Sequence, residues 1–392
     1  MVSEAEIFCQ QSISVHLLAP PKVTDEKDFF DVPSPAPIFC DVLPSETPSI
    51  EIPLSESVVS ISSSTQTTII ESPTTKFFPS IRSGSHMDIG FRDSMEDEHI
   101  RIDDLSAPLG SLFRCRPSAF FAVFDGHGGH EAAAYLKSNA IRLFFEEADL
   151  PQTSDFDNAF WEELGNFHCR AFLLADQALA DERSISVTCG TTALTALVLG
   201  RHLLIANAGD CRAVLCRKGV AVQMSQDHRA SYLPERKRVE DLGGHIVLGR
   251  LNDELAVTRA LGDWYMKSLH GSASPLTAEP EVQQVLLTED DEFLILGCDG
   301  IWDVMSNQEA VSLVRQELSR NDDPHQCARE LVNQAKRMEA KRMDKDDNLT
   351  AIVVCFTPPK HRESIPPQRP RFRCCSLSEE ARNKLRSLLQ GN

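Results

Sequence analysis

Five stretches of this chain place carboxylates where an apolar run ends or begins, an arrangement suited to holding hard metal ions. The first is Phe124-Asp125-Gly126-His127-Gly128-Gly129-His130, which closes the apolar run Ala119 to Phe124. A buried strand end holds a side chain rigidly, and glycines let the backbone come close to a ligand. An Asp-Gly pair after a strand is most often a turn; here the histidine and further glycines favour a site. The second stretch, Arg92-Asp93-Ser94-Met95-Glu96-Asp97-Glu98-His99, packs four carboxylates into six positions. Alone it would read as a solvated charged loop. The third is Ala206-Asn207-Ala208-Gly209-Asp210. The fourth, Leu296-Gly297-Cys298-Asp299-Gly300-Ile301-Trp302-Asp303, repeats the strand-then-Asp-Gly pattern with a second aspartate four residues on. The fifth, Lys345-Asp346-Asp347-Asn348-Leu349-Thr350, sets acids directly before an apolar run. Acids at 97, 125, 210, 299 and 347 brought together would repel by several kcal/mol unless cations joined them. All-oxygen ligation with few histidines suits Mg²⁺ or Mn²⁺ rather than zinc. Spacing alone does not bring these strand ends together; the fold must.

The elements expected to position them alternate in type. Ala119 to Phe124, Thr191 to Leu199, His202 to Ala206, Ala213 to Cys216, Phe293 to Leu296 and Leu349 to Phe356 read as strands, several joined by short hairpin connections. Phe160, Leu164, Phe167, Ala171, Leu174 and Ala178 recur at helical spacing and predict one core-facing stripe. Asp323-Pro324 marks the N-cap and first turn of another helix. Mixed order and hairpins predict an α+β fold rather than a parallel α/β sheet. Cys211 to Arg217 matches the Cys-x5-Arg spacing of thiol phosphatases, but Ala213-Val214-Leu215 lies between, with no glycine to cradle a phosphate, so it reads as strand. Trp264 and Trp302 read as core anchors, and His228, His245 and His270 as structural or solvated loop residues.

Residues 1–80 form a Pro-, Ser- and Thr-rich acidic tail, with 11 acidic against 3 basic side chains, expected to be disordered. Residues 358–392 form a basic tail with 8 basic against 3 acidic side chains, and Ser376 to Leu389 within it suit a short helix. The 392-residue chain carries a formal charge of −19 and a pI near 5.1, which argues against nucleic acid as a partner. Its 12 cysteines are scattered without a CxxC pair, which fits a reducing compartment, the cytoplasm or nucleus. No apolar run reaches the roughly 20 residues of a transmembrane helix, and the N-terminus lacks a secretory pattern.

These stretches, together with Gly190-Thr191-Thr192-Ala193, Gln226-Asp227-His228, Glu235-Arg236-Lys237-Arg238 and Leu255-Ala256-Val257-Thr258-Arg259-Ala260-Leu261-Gly262-Asp263, resemble the motifs of the metal-dependent serine/threonine protein phosphatases of type 2C, plant members above all. The resemblance spans the expected catalytic domain, 84–357. It implies two antiparallel β-sheets in a central sandwich flanked by α-helices, acting as a monomer on phosphoprotein substrates. It further implies that Asp125 bridges two Mg²⁺ or Mn²⁺ ions, with the Gly126 carbonyl beside it, and that Asp299 and Asp347 complete one ion's shell. Glu96 and Asp97 would hold the second ion, and Asp210 and Asp303 would flank a third, weaker one. Arg92 would bind the substrate phosphate through bidentate donors. His127 would be the general acid for the leaving serine or threonine oxygen. Two ions about 3.5–4 Å apart lower the pKa of a shared water and clamp the phosphoryl oxygens. Members that serve as abscisic acid co-receptors carry a tryptophan in the flap; Gly243 to Glu254 contains none, which argues against that role.

Overall fold

The computed structural model describes residues 77–109, 117–146, 158–267, 274–342, 347–358 and 379–389. Residues 1–76, His270, and 359–378 of the basic tail, lie outside the described residues. Two five-stranded sheets form the centre. The first runs in the order Arg82–Asp88, Leu349–Cys355, Asp291–Gly297, Arg212–Arg217, Val220–Gln223. The second runs Glu281–Leu286, His202–Ala208, Ala193–Leu199, Ser118–Phe124, Glu98–Ile102. Every strand pairing within both sheets is antiparallel, as the hairpin-rich order predicts.

Alternation along the strands explains why the sheets stack. Ala119, Phe121 and Val123 belong to the same core as Val214, Leu294, Ile295 and Ile352 of the other sheet. Phe120, Ala122 and Phe124 point the opposite way, into a second core under the helices Glu131–Ile141 and Asn158–Asp181. A strand buried on both faces is apolar nearly throughout, and Ser118–Phe124, polar only at Ser118, is buried along its length. Phe144 sits between Phe120 and Phe172, with ring centroids 5.7 and 5.6 Å away; burying each such ring contributes about 1.5–3 kcal/mol. On the far side of the first sheet lie the helices Asn307–Asn321 and Pro324–Glu339. The first starts from a capping box between Ser306 and Glu309. The second starts as expected at Asp323, whose side chain accepts a hydrogen bond from the His325 N–H, with Pro324 in the first turn. The result is the expected α+β sandwich with helices on both outer faces.

Two readings are corrected. The Phe160–Ala178 stripe is real but rotates toward Trp161, His168, Phe172 and Ala175, because steps of 3.5 residues drift against the 3.6-residue turn. Leu174 is therefore left at the margin, 39 % exposed. The strand expected from Thr191 to Leu199 breaks at Thr192. Gly190–Thr191 instead pairs with Gly126–His127 on one side and Leu261–Gly262 on the other. This small sheet sits where the acids converge. In the basic tail, Glu379–Leu389 is helical, inside the expected range.

Candidate active site

Because neighbouring strands run in opposite directions, one end of the sandwich collects alternate starts and ends. Glu98 is paired with Phe124, Ala193 with Ala208, Gly297 with Ala351, and Asp88 with Leu349. Asp97 and Asp347 therefore precede their strands at the same edge where Asp125, Asp210 and Asp299 follow theirs. Carboxylate oxygens of Asp125, Asp210 and Asp299 lie within 4.8 Å of one another. Oxygens of Asp97 and Asp125 come equally close, with the Cys298 sulfur beside them. A cleft of about 540 Å³ opens above, lined by Arg92, Glu96, Asp125, Gly126, His127, Asp210, Asp299 and Asp347. Asp347 belongs to neither oxygen group; its Oδ1 takes the Arg92 Nη2 at 3.1 Å. Asp303 sits one helical turn beyond Asp299, its N–H donating to the Asp299 carbonyl.

Burial and mutual repulsion make the cluster costly to ionise. Burial pushes the Asp125 carboxyl well above its ordinary pKa, and the charges of Asp97, Asp299, Asp210 and Asp347 push the same way. Asp299 is likewise raised, first by burial and then by Asp210 and Asp347. Asp97 is raised to about 6 by burial, although the Thr350 hydroxyl donates to its Oδ2 at 2.6 Å. Converging carboxylates that outnumber the basic side chains beside them form a donor set that divalent hard cations fit.

Close backbone approach is built in. A Cβ on Gly126 would stand 2.3 Å from the Glu96 carbonyl oxygen, so this strand end and the acidic loop touch only because glycine is there. A Cβ on Gly190 would meet both Asp263 and His127, at 2.1 and 2.6 Å. That gap admits a hydrogen bond that spacing did not reveal: His127 Nε2 lies 2.6 Å from Oδ2 of buried Asp263. The small sheet explains it, since Gly190 is opposite both His127 and Gly262. Asp263 is held in turn where Gly262 N–H and the Lys267 ammonium both reach Asp176 on the long helix.

Sequence reasoning also assigned no role to Asn348, Arg229 and Glu235. Asn348 ties down the loop that carries Arg92 and Glu96. Its Oδ1 accepts from the Glu96 N–H at 2.8 Å, and its Nδ2 donates to the Ile89 and Ser94 carbonyls at 2.9 and 3.0 Å. Asn348→Ala is expected to destabilise the fold by about 2 kcal/mol, because three part-buried backbone groups lose their hydrogen-bond partner. It should also lower turnover while the acids remain in place. Urea unfolding beside an activity assay checks both; unchanged stability would show that water replaces the amide. Arg229 joins three aspartates and Glu235 joins two arginines. Arg229 lies in none of the stretches singled out in the sequence and Glu235 opens one of them, but nothing local shows which partners either takes.

Trp302 and Trp264 are anchors as expected, donating their indole N–H to the Gly297 and Asp176 carbonyls. His228 is buried and accepts from the Gly209 N–H. Arg212–Arg217 is strand, which disposes of the thiol-phosphatase coincidence.

The family model described as "Protein phosphatase 2C" matches residues 81–343. Over 400 aligned residues the chain is 53% identical to the Arabidopsis thaliana protein described as probable protein phosphatase 2C 13, covering 100% of this chain and 98% of that one. It is 59% identical over 326 residues to probable protein phosphatase 2C 2 of Oryza sativa subsp. japonica, covering 81% and 83%. Among solved structures, a serine-threonine phosphatase 2C from Toxoplasma gondii shares the fold with a TM-score of 0.59 at 23% identity, over 72% of this chain and 98% of that one. Site motifs in order, a whole-length match to plant relatives and a shared sandwich lead to one assignment: the chain belongs to the protein phosphatase 2C family.

Proposed function

We propose that the protein hydrolyses phosphoserine and phosphothreonine in proteins at a binuclear Mg²⁺ or Mn²⁺ centre. One observation carries the proposal: aspartates 85 and 174 residues apart, Asp125 to Asp210 and Asp125 to Asp299, present their oxygens within 4.8 Å. Family membership supports the reaction class. Asp97, Asp125, Asp210, Asp299 and Asp347, with Glu96 and the Gly126 carbonyl, are the residues that would hold the ions. Bound there, such ions supply a water of lowered pKa and neutralise charge on the phosphoryl oxygens.

This chain's own groups do the rest. Arg92, at the rim and half exposed, is held over the cleft by Asp347. Its planar guanidinium offers paired N–H donors to a phosphate. Asp263 fixes the His127 ring through Nε2, which leaves Nδ1 to exchange a proton with the departing side-chain oxygen. The cleft walls from Arg250 to Val257 and at Tyr265 are where a peptide on either side of the phosphorylated residue would lie. Arg92→Lys is expected to lower kcat/KM roughly 10- to 100-fold, since a point charge does not reproduce a bidentate contact. Steady-state kinetics with a phosphothreonine peptide checks this, and an unchanged value would remove Arg92 from phosphate binding.

The free thiols among the described cysteines and the acidic charge support action in the cytoplasm or nucleus. No described helix is long and apolar enough to cross a membrane. We take the catalytic unit to be a monomer with the two tails setting location and partners. Turnover of phosphoserine and phosphothreonine peptides set against small phosphoester metabolites tests the substrate class. Preference for the metabolites would replace the protein-phosphatase reading with a small-molecule hydrolase.

A further inference from the structure

Arg229 makes a contact that the metal-centre reading does not use. It follows His228, whose N–H bonds the Gly209 carbonyl, and it forms an isolated β-bridge with Val257. From there each of its three side-chain nitrogens reaches a different carboxylate. Nε lies 2.7 Å from Asp210 Oδ2, Nη2 2.8 Å from Asp299 Oδ2, and Nη1 2.7 Å from Asp303 Oδ1. All four side chains are at most about a quarter exposed. Surface ion pairs are weak, but a planar fork enclosed by three partly buried acids is fixed in place. Burial works against the Arg229 charge; Asp210, Asp299 and Asp303 outweigh it.

We infer that Arg229 is a resident cation, filling the position between Asp210 and Asp303 that would otherwise take a third metal ion. The inference rests on the binuclear reading above and deepens it. Asp210 and Asp299 each give one oxygen to the guanidinium and have a second that it does not take, so both still have a donor for the two-ion site. A divalent ion between Asp210 and Asp303 would have to displace the side chain, and close like charges disfavour both being there together. A permanent charge also offsets repulsion among these acids before metal arrives.

The test is metal stoichiometry, not activity. Metal-stripped full-length wild type and Arg229→Gln are titrated with Mn²⁺, and free ion is read by electron paramagnetic resonance. Circular dichroism confirms that both are folded. The variant is expected to bind one more ion per chain than wild type. Equal stoichiometry in a folded variant would overturn the inference while leaving the binuclear reading standing. Absence of any bound Mn²⁺ in wild type would overturn both. Should the variant fail to fold, wild-type crystals grown in Mn²⁺ decide: an anomalous difference map with no manganese peak between Asp210 and Asp303 and with Arg229 on its three acids supports the inference, and a peak there overturns it.

Discussion

Asp125→Asn is expected to abolish phosphate release while raising the melting temperature of the metal-free protein. The first effect follows from position. Asp125 belongs to both groups of converging oxygens, and no other carboxylate does. Losing its charge should lower kcat at least ~10³-fold, on the order of 4 kcal/mol of transition-state stabilisation. The second effect follows from the cost of ionising it. Burial, then Asp97, Asp299, Asp210 and Asp347, hold the Asp125 pKa well above its ordinary value. A carboxyl raised on folding contributes stability only below its unfolded pKa, and that contribution is lost as pH rises through the folded value. At neutral pH without metal, the Asp125 carboxyl is therefore a net cost that a neutral amide of the same shape removes. For a domain of this size each kcal/mol recovered raises Tm by roughly 2–4 °C. Adding Mn²⁺ should reverse the order, because wild type gains more from binding. Calorimetry with and without chelator reads both signs. A metal-free variant that melts below wild type would show that the acids are not held against their own repulsion.

Glu235→Gln should cost about 3 kcal/mol at pH 7, a loss of roughly 6–12 °C in Tm. Glu235 opens the helix Leu233–Asp241 and is only 3 % exposed. Its oxygens accept from Arg259 Nη2 at 2.6 Å, Arg238 Nη2 at 3.0 Å and the Thr258 hydroxyl at 2.8 Å. Burial alone would push the carboxyl up; hydrogen bonds from Arg259, Arg238 and Thr258 outweigh it and bring the pKa down to about 2. A depressed carboxyl contributes stability above its unfolded pKa and loses it as pH falls through the folded value. The wild-type advantage should therefore be full above about pH 4.5 and gone near pH 2. Urea unfolding of both proteins across that range checks it, and a difference below about 1 kcal/mol at pH 7 would show that the arginines find other partners.

Much of the site was legible because its parts end apolar runs. Asp125 and Asp299 follow uninterrupted buried strands, so the pattern places them at strand ends. What spacing withheld was the meeting of those ends, which depends on sheet order: Leu349–Cys355 inserts between the first strand and Asp291–Gly297, although it comes last. The break at Thr192 was hidden for a similar reason. Its neighbours are good strand formers, and only pairing with Gly126–His127 and Leu261–Gly262 separates Gly190–Thr191 from the run that follows. Asp263, Arg229 and Asn348 act through contacts across 136, 74 and 259 residues, to His127, Asp303 and Ile89 respectively. Asp263 and Asn348 lie in stretches the sequence marks out, but nothing local shows which distant groups they or Arg229 hold. Leu174 shows the opposite limit, where a correct period still drifted off the buried face.

The central claim is that these converging acids work only with divalent cations between them. Phosphate release from a phosphothreonine peptide, measured on chelator-treated protein during Mn²⁺ addition, tests it most directly. The account predicts no turnover before Mn²⁺ and recovery as the ion is added. Undiminished turnover in excess chelator would contradict it.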